Sequence, residues 1–203
     1  WPIISSRLND AGYACFRFNF RSCGTGEERS DGDFEDVTLS NRIKDFRNAL
    51  DFLEERAVVD MDRIGVVGSS LGGMTAIAAK DDRTKAIVTM GSPYKIPRYE
   101  EPRIPEKRGE YYVLPSGERF KSDFYEDMEG YDLLDDIREA PPILIVQGGS
   151  DETVPVEHAQ ILYENASEPK DLKIIDEGGH LFRNRRVLEE AIESLIDWFG
   201  EYL

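Results

Sequence analysis

A chain of 203 residues, 40% of them hydrophobic, is long enough to bury one sizeable core and too short for two ordinary enzyme domains. Its 41 acidic against 25 basic side chains give a net charge of -16, which repels a phosphate backbone or an anionic membrane surface, so neither nucleic acid nor membrane is an expected partner. The longest apolar runs are only a few residues, against the about 18 that a membrane span needs, and no signal peptide opens the chain, so a soluble protein is predicted.

The acidity reads as a solvated surface, with adaptation to high salt as the alternative. Two cysteines, Cys15 and Cys23, are too few for a disulfide framework, and no Cys/His cluster has metal-ligand spacing. A reducing, cytoplasmic setting and a site with neither metal nor cofactor are therefore expected.

The chain begins on Trp1 rather than Met. Residues 1–9 carry Ile3, Ile4 and Leu8 at helical spacing, so a helix opens the chain. Residues 13–20 follow Gly12, are rich in aromatics and suit a strand. The acidic run 27–36 reads as a solvated loop. From Leu39 the apolar positions Ile43, Phe46, Leu50 and Leu53 step by three or four, an amphipathic helix for which Thr38 or Ser40 offers a cap. The short apolar runs 64–67, 86–90 and 143–146 each end at a glycine (Gly68, Gly91, Gly148) and look like buried parallel strands. Helices are predicted at 71–80 and 156–165 and a strand at 172–175. Leu188, Ile192, Leu195, Phe199 and Tyr202 form one face of a last helix. This alternation predicts the α/β class, with a mainly parallel sheet flanked by helices.

Residues 93–142 break the rhythm, holding seven of the ten prolines and six of the nine tyrosines. Inside them, Tyr111-Tyr112-Val113-Leu114 and Glu118-Arg119-Phe120 flank Pro115-Ser116-Gly117, a hairpin pattern. The organisation predicted is a single domain over 1–203, with its core in 1–92 and 143–203 and a lid-like insertion at 93–142.

The strongest chemical signal is Gly68-Ser69-Ser70-Leu71-Gly72-Gly73, between a predicted strand and a predicted helix. A strand-to-helix turn sharp enough to expose its central residue strains that residue and needs near-bare neighbours, which Gly68 and Gly72 supply on either side of Ser70. Ser69 lacks that symmetry. A plain or anion-binding Gly-rich turn is the competing reading. A serine hydroxyl needs a base, and the chain has two imidazoles. His180 lies in the loop Glu177-Gly178-Gly179-His180-Leu181 after a strand, whereas His158 lies on a helix, where a cap or a solvent-facing side chain is the ordinary outcome. An orienting carboxylate is available at Asp151, past the strand ending at Val146, with Glu152, Asp176 and Glu177 as competitors. The chain order Ser, acid, His favours Asp151. Cys23-Gly24-Thr25-Gly26 invites a dinucleotide site, but the third glycine is replaced by Arg29 and the next stretch is acidic.

Taken together, six stretches resemble the α/β-hydrolase superfamily, and within it the small carboxylesterases related to cinnamoyl and feruloyl esterases. They are Asn19-Phe20-Arg21-Ser22-Cys23-Gly24, Asp33-Phe34-Glu35-Asp36-Val37-Thr38, Asp62-Arg63-Ile64 through Gly73, Tyr131-Asp132-Leu133-Leu134, Asp151-Glu152-Thr153-Val154-Pro155 and Gly178-Gly179-His180-Leu181-Phe182. The resemblance implies a serine esterase acting through an acyl-enzyme, with Ser70 as nucleophile, Asp151 as acid, His180 as base and the Leu71 N–H as one oxyanion donor. Thioesters and small acyl-peptides are alternative substrates, and a weakly active hydrolase-like binding domain is the alternative role. By the same resemblance, Gln147-Gly148 stands where His-Gly is common, and Ser69 where His is common. The family's first strands and its second oxyanion donor have no counterpart in the chain. A native product longer by about 30 to 50 residues is expected, from three strands of about five to six residues and their connections. The partners expected are a small-molecule ester and, at most, a second copy of the chain, as a monomer or homodimer.

Overall fold

The computed structural model describes residues 1–24, 27, 29–96, 106–113 and 119–203, with the backbone alone at 106–108. In chain order its elements are α1 (Pro2–Asp10), α2 (Leu39–Arg56), β1 (Ile64–Ser69), α3 (Leu71–Ala79), β2 (Thr84–Met90), β3 (Glu106–Arg108), β4 (Tyr111–Val113), β5 (Arg119–Lys121), α4 (Ser122–Met128), α5 (Leu133–Asp136), β6 (Ile143–Gly148), α6 (Val156–Asn165), β7 (Lys170–Ile175) and α7 (Arg185–Tyr202). The runs richest in Ile, Val and Leu form a four-stranded parallel sheet in the order β1-β2-β6-β7.

β6 is buried along its whole length and β2 nearly so, which is why their sequences read as continuous apolar runs rather than alternating ones. One face sends Ile87, Ile143 and Ile145 into a cluster with Leu39, Ile43 and Phe46 of α2, Met74 and Ile77 of α3, and Leu162 of α6. The other sends Ala86, Val88, Leu144 and Val146 against Ile4 and Leu8 of α1 and Val187, Ile192, Leu195 and Phe199 of α7. Helices thus cover both faces of the sheet. Thr38 is the cap of α2, its Oγ1 accepting the Asn41 N–H at 3.1 Å. No helix of the described residues is long and apolar enough to cross a membrane.

One predicted element is different. Residues 13–20 form no ladder among the described residues, and β1 pairs with β2 alone. The two-residue alternation is still there: Tyr13 and Cys15 pack on the α1/α7 side, Phe18 and Phe20 on the α2/α3 side. Phe16 stacks on Phe52 of α2, with ring centroids 5.6 Å apart. A strand needs a neighbour's N–H and C=O groups as well as two apolar faces, and here only the faces are supplied.

The predicted hairpin forms, β4 pairing antiparallel with β5, and β3 adds a third strand. Its turn, and residues 97–105 of the insertion, lie outside the described residues, as do Thr25 and Gly26 of the rejected dinucleotide motif. Tyr112, Phe124 and Tyr125 pack with Val37 in a cluster of their own, and Leu71 and Ile96 touch its edge. The expectation of a solvated loop at 27–36 fails at its end. Residues 34–36 form a short 3₁₀ turn, Phe34 lies 4.9 Å from Phe120, Glu35 pairs with Arg119, and Asp36 pairs with Lys121. The carboxylates there face the cations of β5 while keeping contact with water.

Candidate active site

Because β1 ends at Ser69 and α3 begins at Leu71, the chain must change from strand to helix across the single residue Ser70. Ser70 accordingly takes φ 51° and ψ -122°, a strain of about 1–3 kcal/mol for a residue with a side chain. Three bonds hold the turn: the Ser70 N–H donates to the Met90 carbonyl at 2.9 Å, and the Ser70 carbonyl accepts the Gly73 N–H at 3.0 Å and the Met74 N–H at 3.3 Å. The Ser70 side chain is not used to cap α3. Leu71, as first residue of α3, has an N–H with no intrahelical acceptor, at the positive end of the helix.

Gly68 is required as predicted, since a Cβ there would lie 2.5 Å from the Gly72 carbonyl oxygen. Gly72 is not. A Cβ at Gly72 would meet nothing nearer than Arg42 Nη2 at 4.0 Å, whereas one at Gly73 would fall 1.9 Å from Ser92 Oγ. The turn folds the start of α3 back over β1 and the end of β2, so the crowding falls on the residue facing them.

Asp151 and His180 come together from two loops at the same edge of the sheet. The loops are laced by backbone bonds, Gly149 N–H to Ile175 O at 2.8 Å and Ser150 N–H to Gly178 O at 2.9 Å. His180 Nδ1 and Asp151 Oδ2 are 2.9 Å apart, with the Asp151 side chain fully buried and 17% of the His180 side chain exposed. The other carboxylate oxygen, Oδ1, accepts the Thr153 and Val154 N–H groups, each at 2.8 Å. Burial pushes the Asp151 carboxyl up, but the hydrogen bonds from His180, Val154 and Thr153 outweigh it and hold the group below the usual carboxylate range. A carboxylate that stays ionised fixes the imidazole tautomer, with the proton on Nδ1 and Nε2 turned away from Asp151.

Gly91 joins the pieces. It follows Met90, which binds the Ser70 amide, and a Cβ on it would lie 3.2 Å from Asp151 Oδ2 and 3.3 Å from His180 Nδ1. Its φ of +58° is one that glycine adopts without strain. Ser70 Oγ and His180 Nε2 make no hydrogen bond to each other among the described residues. Such bonds commonly tighten only once a substrate is bound.

His158 stands apart from this group. Its Nδ1 accepts the Tyr94 N–H at 3.3 Å and its ring lies 4.8 Å from the Tyr94 ring, so it anchors the start of the insertion. Glu177, a competitor for the acid, pairs with Arg186. A cleft of about 710 Å³ lies between residues 16–22 and α2, lined by Phe16, Phe18, Arg21 and Asp45 among others, and includes none of Ser70, Asp151 and His180.

Two residues of the site carried weaker signals. Gly91 was visible only as the glycine ending an apolar run, the same position that Gly68 and Gly148 occupy. Gln147 is marked in the sequence only as standing where His is common, yet it is buried and its Nε2 donates to Asp151 Oδ2 at 3.2 Å.

Residues 4–203 match the prolyl oligopeptidase family. The chain belongs to that family. It is 25% identical over 185 residues to the uncharacterized protein YfhR of Escherichia coli O157:H7, covering 89% of this chain and 57% of that one. It is 26% identical over 182 residues to the putative esterase YitV of Bacillus subtilis, covering 85% and 69%. Among solved structures, the esterase domain of a Rhodothermus marinus protein aligns with TM-score 0.72 and 25% identity over 99% of this chain and 79% of that one. Est1E of Butyrivibrio proteoclasticus, with ferulic acid bound, aligns with TM-score 0.82 and 22% identity over 98% and 81%. This member of the prolyl oligopeptidase family therefore has the α/β-hydrolase fold and esterase-type relatives, as the sequence resemblance implied. It spans 57% of the length of YfhR and 42% of the putative hydrolase YtaP.

Proposed function

We propose that the chain is a serine hydrolase that cleaves carboxylic esters through an acyl-enzyme. The observation that carries this is the buried Asp151–His180 pair, set by Gly91 against the strand end that also binds the strained Ser70. His180 takes the Ser70 proton as Oγ attacks the carbonyl carbon, and Asp151 holds the imidazole and stabilises its charge. The Leu71 N–H, supported by the start of α3, donates to the developing oxyanion. His180 then protonates the departing alkoxide, and water, deprotonated by the same imidazole, releases the acid from Ser70.

The whole of 1–203 serves as one domain, its insertion at 93–142 acting as a lid beside the serine. Leu71 supports that placement, since it follows Ser70 and also packs against the insertion's cluster. The family's peptidase name favours one second reading, cleavage of small acyl-peptides by the same three residues. Matched p-nitrophenyl esters and p-nitroanilides separate the two: ester cleavage that depends on Ser70, with anilide cleavage slower by orders of magnitude, supports the first. A fluorophosphonate probe that fails to label Ser70 rejects both.

A further inference from the structure

We propose that Gln147 is a positioning residue that fixes the rotation of the Asp151 carboxylate, an inference that rests on the triad reading above. Gln147 is the fifth residue of β6 and is 1% exposed. Its side-chain nitrogen faces three acceptors: the Val154 carbonyl at 2.9 Å, Asp151 Oδ2 at 3.2 Å and the Gly148 carbonyl at 3.3 Å. Three acceptors at one end of an amide settle which end carries the NH₂. The other end, Oε1, is buried without a hydrogen-bond partner among the described residues.

That imbalance is informative. The orphan Oε1 costs stability, and the short bond to the Val154 carbonyl uses only one of the two N–H groups. What the amide adds is an N–H on the carboxylate oxygen that also bonds His180 Nδ1. Oδ1 is held by two backbone N–H groups of its own loop, so Gln147 supplies the donor that a side chain from the sheet directs at Oδ2. Because Gln147 lies within a ladder, paired with Ile174 of β7, its donor is fixed by the sheet rather than by the loop. The Val154 carbonyl, held by the same NH₂, ties the far side of the Asp151 turn to the same point.

Three variants test this on the purified protein. Gln147→Met keeps the volume and deletes the donor; Gln147→Glu keeps the shape and puts an acceptor at Oδ2; Gln147→His restores a ring N–H. For Gln147→Met, kcat on p-nitrophenyl acetate is expected to fall about tenfold, the worth of one hydrogen bond to a charged group, with KM within about twofold. Gln147→Glu should fall further, and Gln147→His should recover most of the loss. The low-field NMR signal of the His180–Asp151 proton should move in Gln147→Met and return toward its wild-type position in Gln147→His. If Gln147→Met keeps wild-type kcat and an unmoved proton signal while wild-type Ser70 labels with fluorophosphonate, the positioning role is wrong and the triad stands. A wild type in which Ser70 does not label overturns the triad and this proposal with it.

Discussion

The carboxyl edge of the parallel sheet and the inserted β3-β4-β5 sheet place their side chains by different means. At the sheet edge the backbone does the placing: Ser70 N–H on Met90 fixes the serine turn to the end of β2, Gly91 N–H on Val146 fixes that end to β6, and Gly149 N–H on Ile175 with Ser150 N–H on Gly178 fixes the Asp151 loop to the His180 loop. The inserted sheet is held to the rest of the chain by side chains, through Phe34 against Phe120, Val37 in the Tyr112 cluster, and the pairs of Arg119 and Lys121 with Glu35 and Asp36. The first arrangement depends on a few backbone bonds and close approaches; the second is spread over several side-chain contacts. Changes at the edge should therefore alter chemistry, and changes in the insertion should alter affinity or stability by small steps.

The largest expected effects test the first half of this contrast. Ser70→Ala and His180→Ala should each reduce kcat on p-nitrophenyl acetate by at least about ten-thousandfold with the circular dichroism spectrum unchanged. Asp151→Asn should follow at about a thousandfold or more, because the neutral amide no longer fixes the imidazole tautomer. The same variant has a pH signature. Since the Asp151 carboxyl titrates below its ordinary value of about 3.9 in the folded chain, its contribution to stability is complete above that value and is lost as pH falls through the depressed one. Acid unfolding of wild type should therefore be steeper below about pH 4 than that of Asp151→Asn. Equal slopes would show that the fold does not hold the Asp151 carboxyl below its ordinary value.

Gly91→Ala comes next. A methyl group 3.2 Å from Asp151 Oδ2 at a φ of +58° must push the pair aside, so kcat should fall about ten- to a hundredfold. An unaffected Gly91→Ala would show that the pair has slack. On the insertion side, His158→Ala removes an acceptor and a ring contact for Tyr94 and should change kcat less than about threefold. Losses equal to those of His180→Ala would mean that the wrong imidazole has been assigned. Smallest of all, the double variant Glu35→Gln and Asp36→Asn breaks two exposed ion pairs and should lower Tm by no more than about 2–4 °C, read by thermal denaturation.

Most of the sheet and its helices could be read from the sequence because period and burial coincide there: β6 is apolar throughout, and Leu188, Ile192, Leu195 and Phe199 repeat at the helical period along the buried face of α7. Residues 13–20 show the limit of that logic. Their alternation reports two apolar faces truthfully but carries no information about hydrogen-bond partners, which belong to another part of space. The site followed the same division. Ser70 stands out through its flanking glycines, His180 as one of two imidazoles and Asp151 through chain order, whereas Gly73, Gly91 and Gln147 depend on distances between segments that no local pattern encodes. The Glu35 and Asp36 pairs were hidden for a further reason, since charge in a 41-carboxylate chain looks solvated until its partner is seen.

The most direct test of the account is the mass of the protein quenched in acid during turnover of p-nitrophenyl acetate. Acylation of Ser70 gives a species heavier by one acetyl group, mapped by peptide fragmentation to Ser70, absent from Ser70→Ala, and long-lived in Asp151→Asn. An acetyl group on any other residue, or turnover with no covalent species in any of the three proteins, would contradict it.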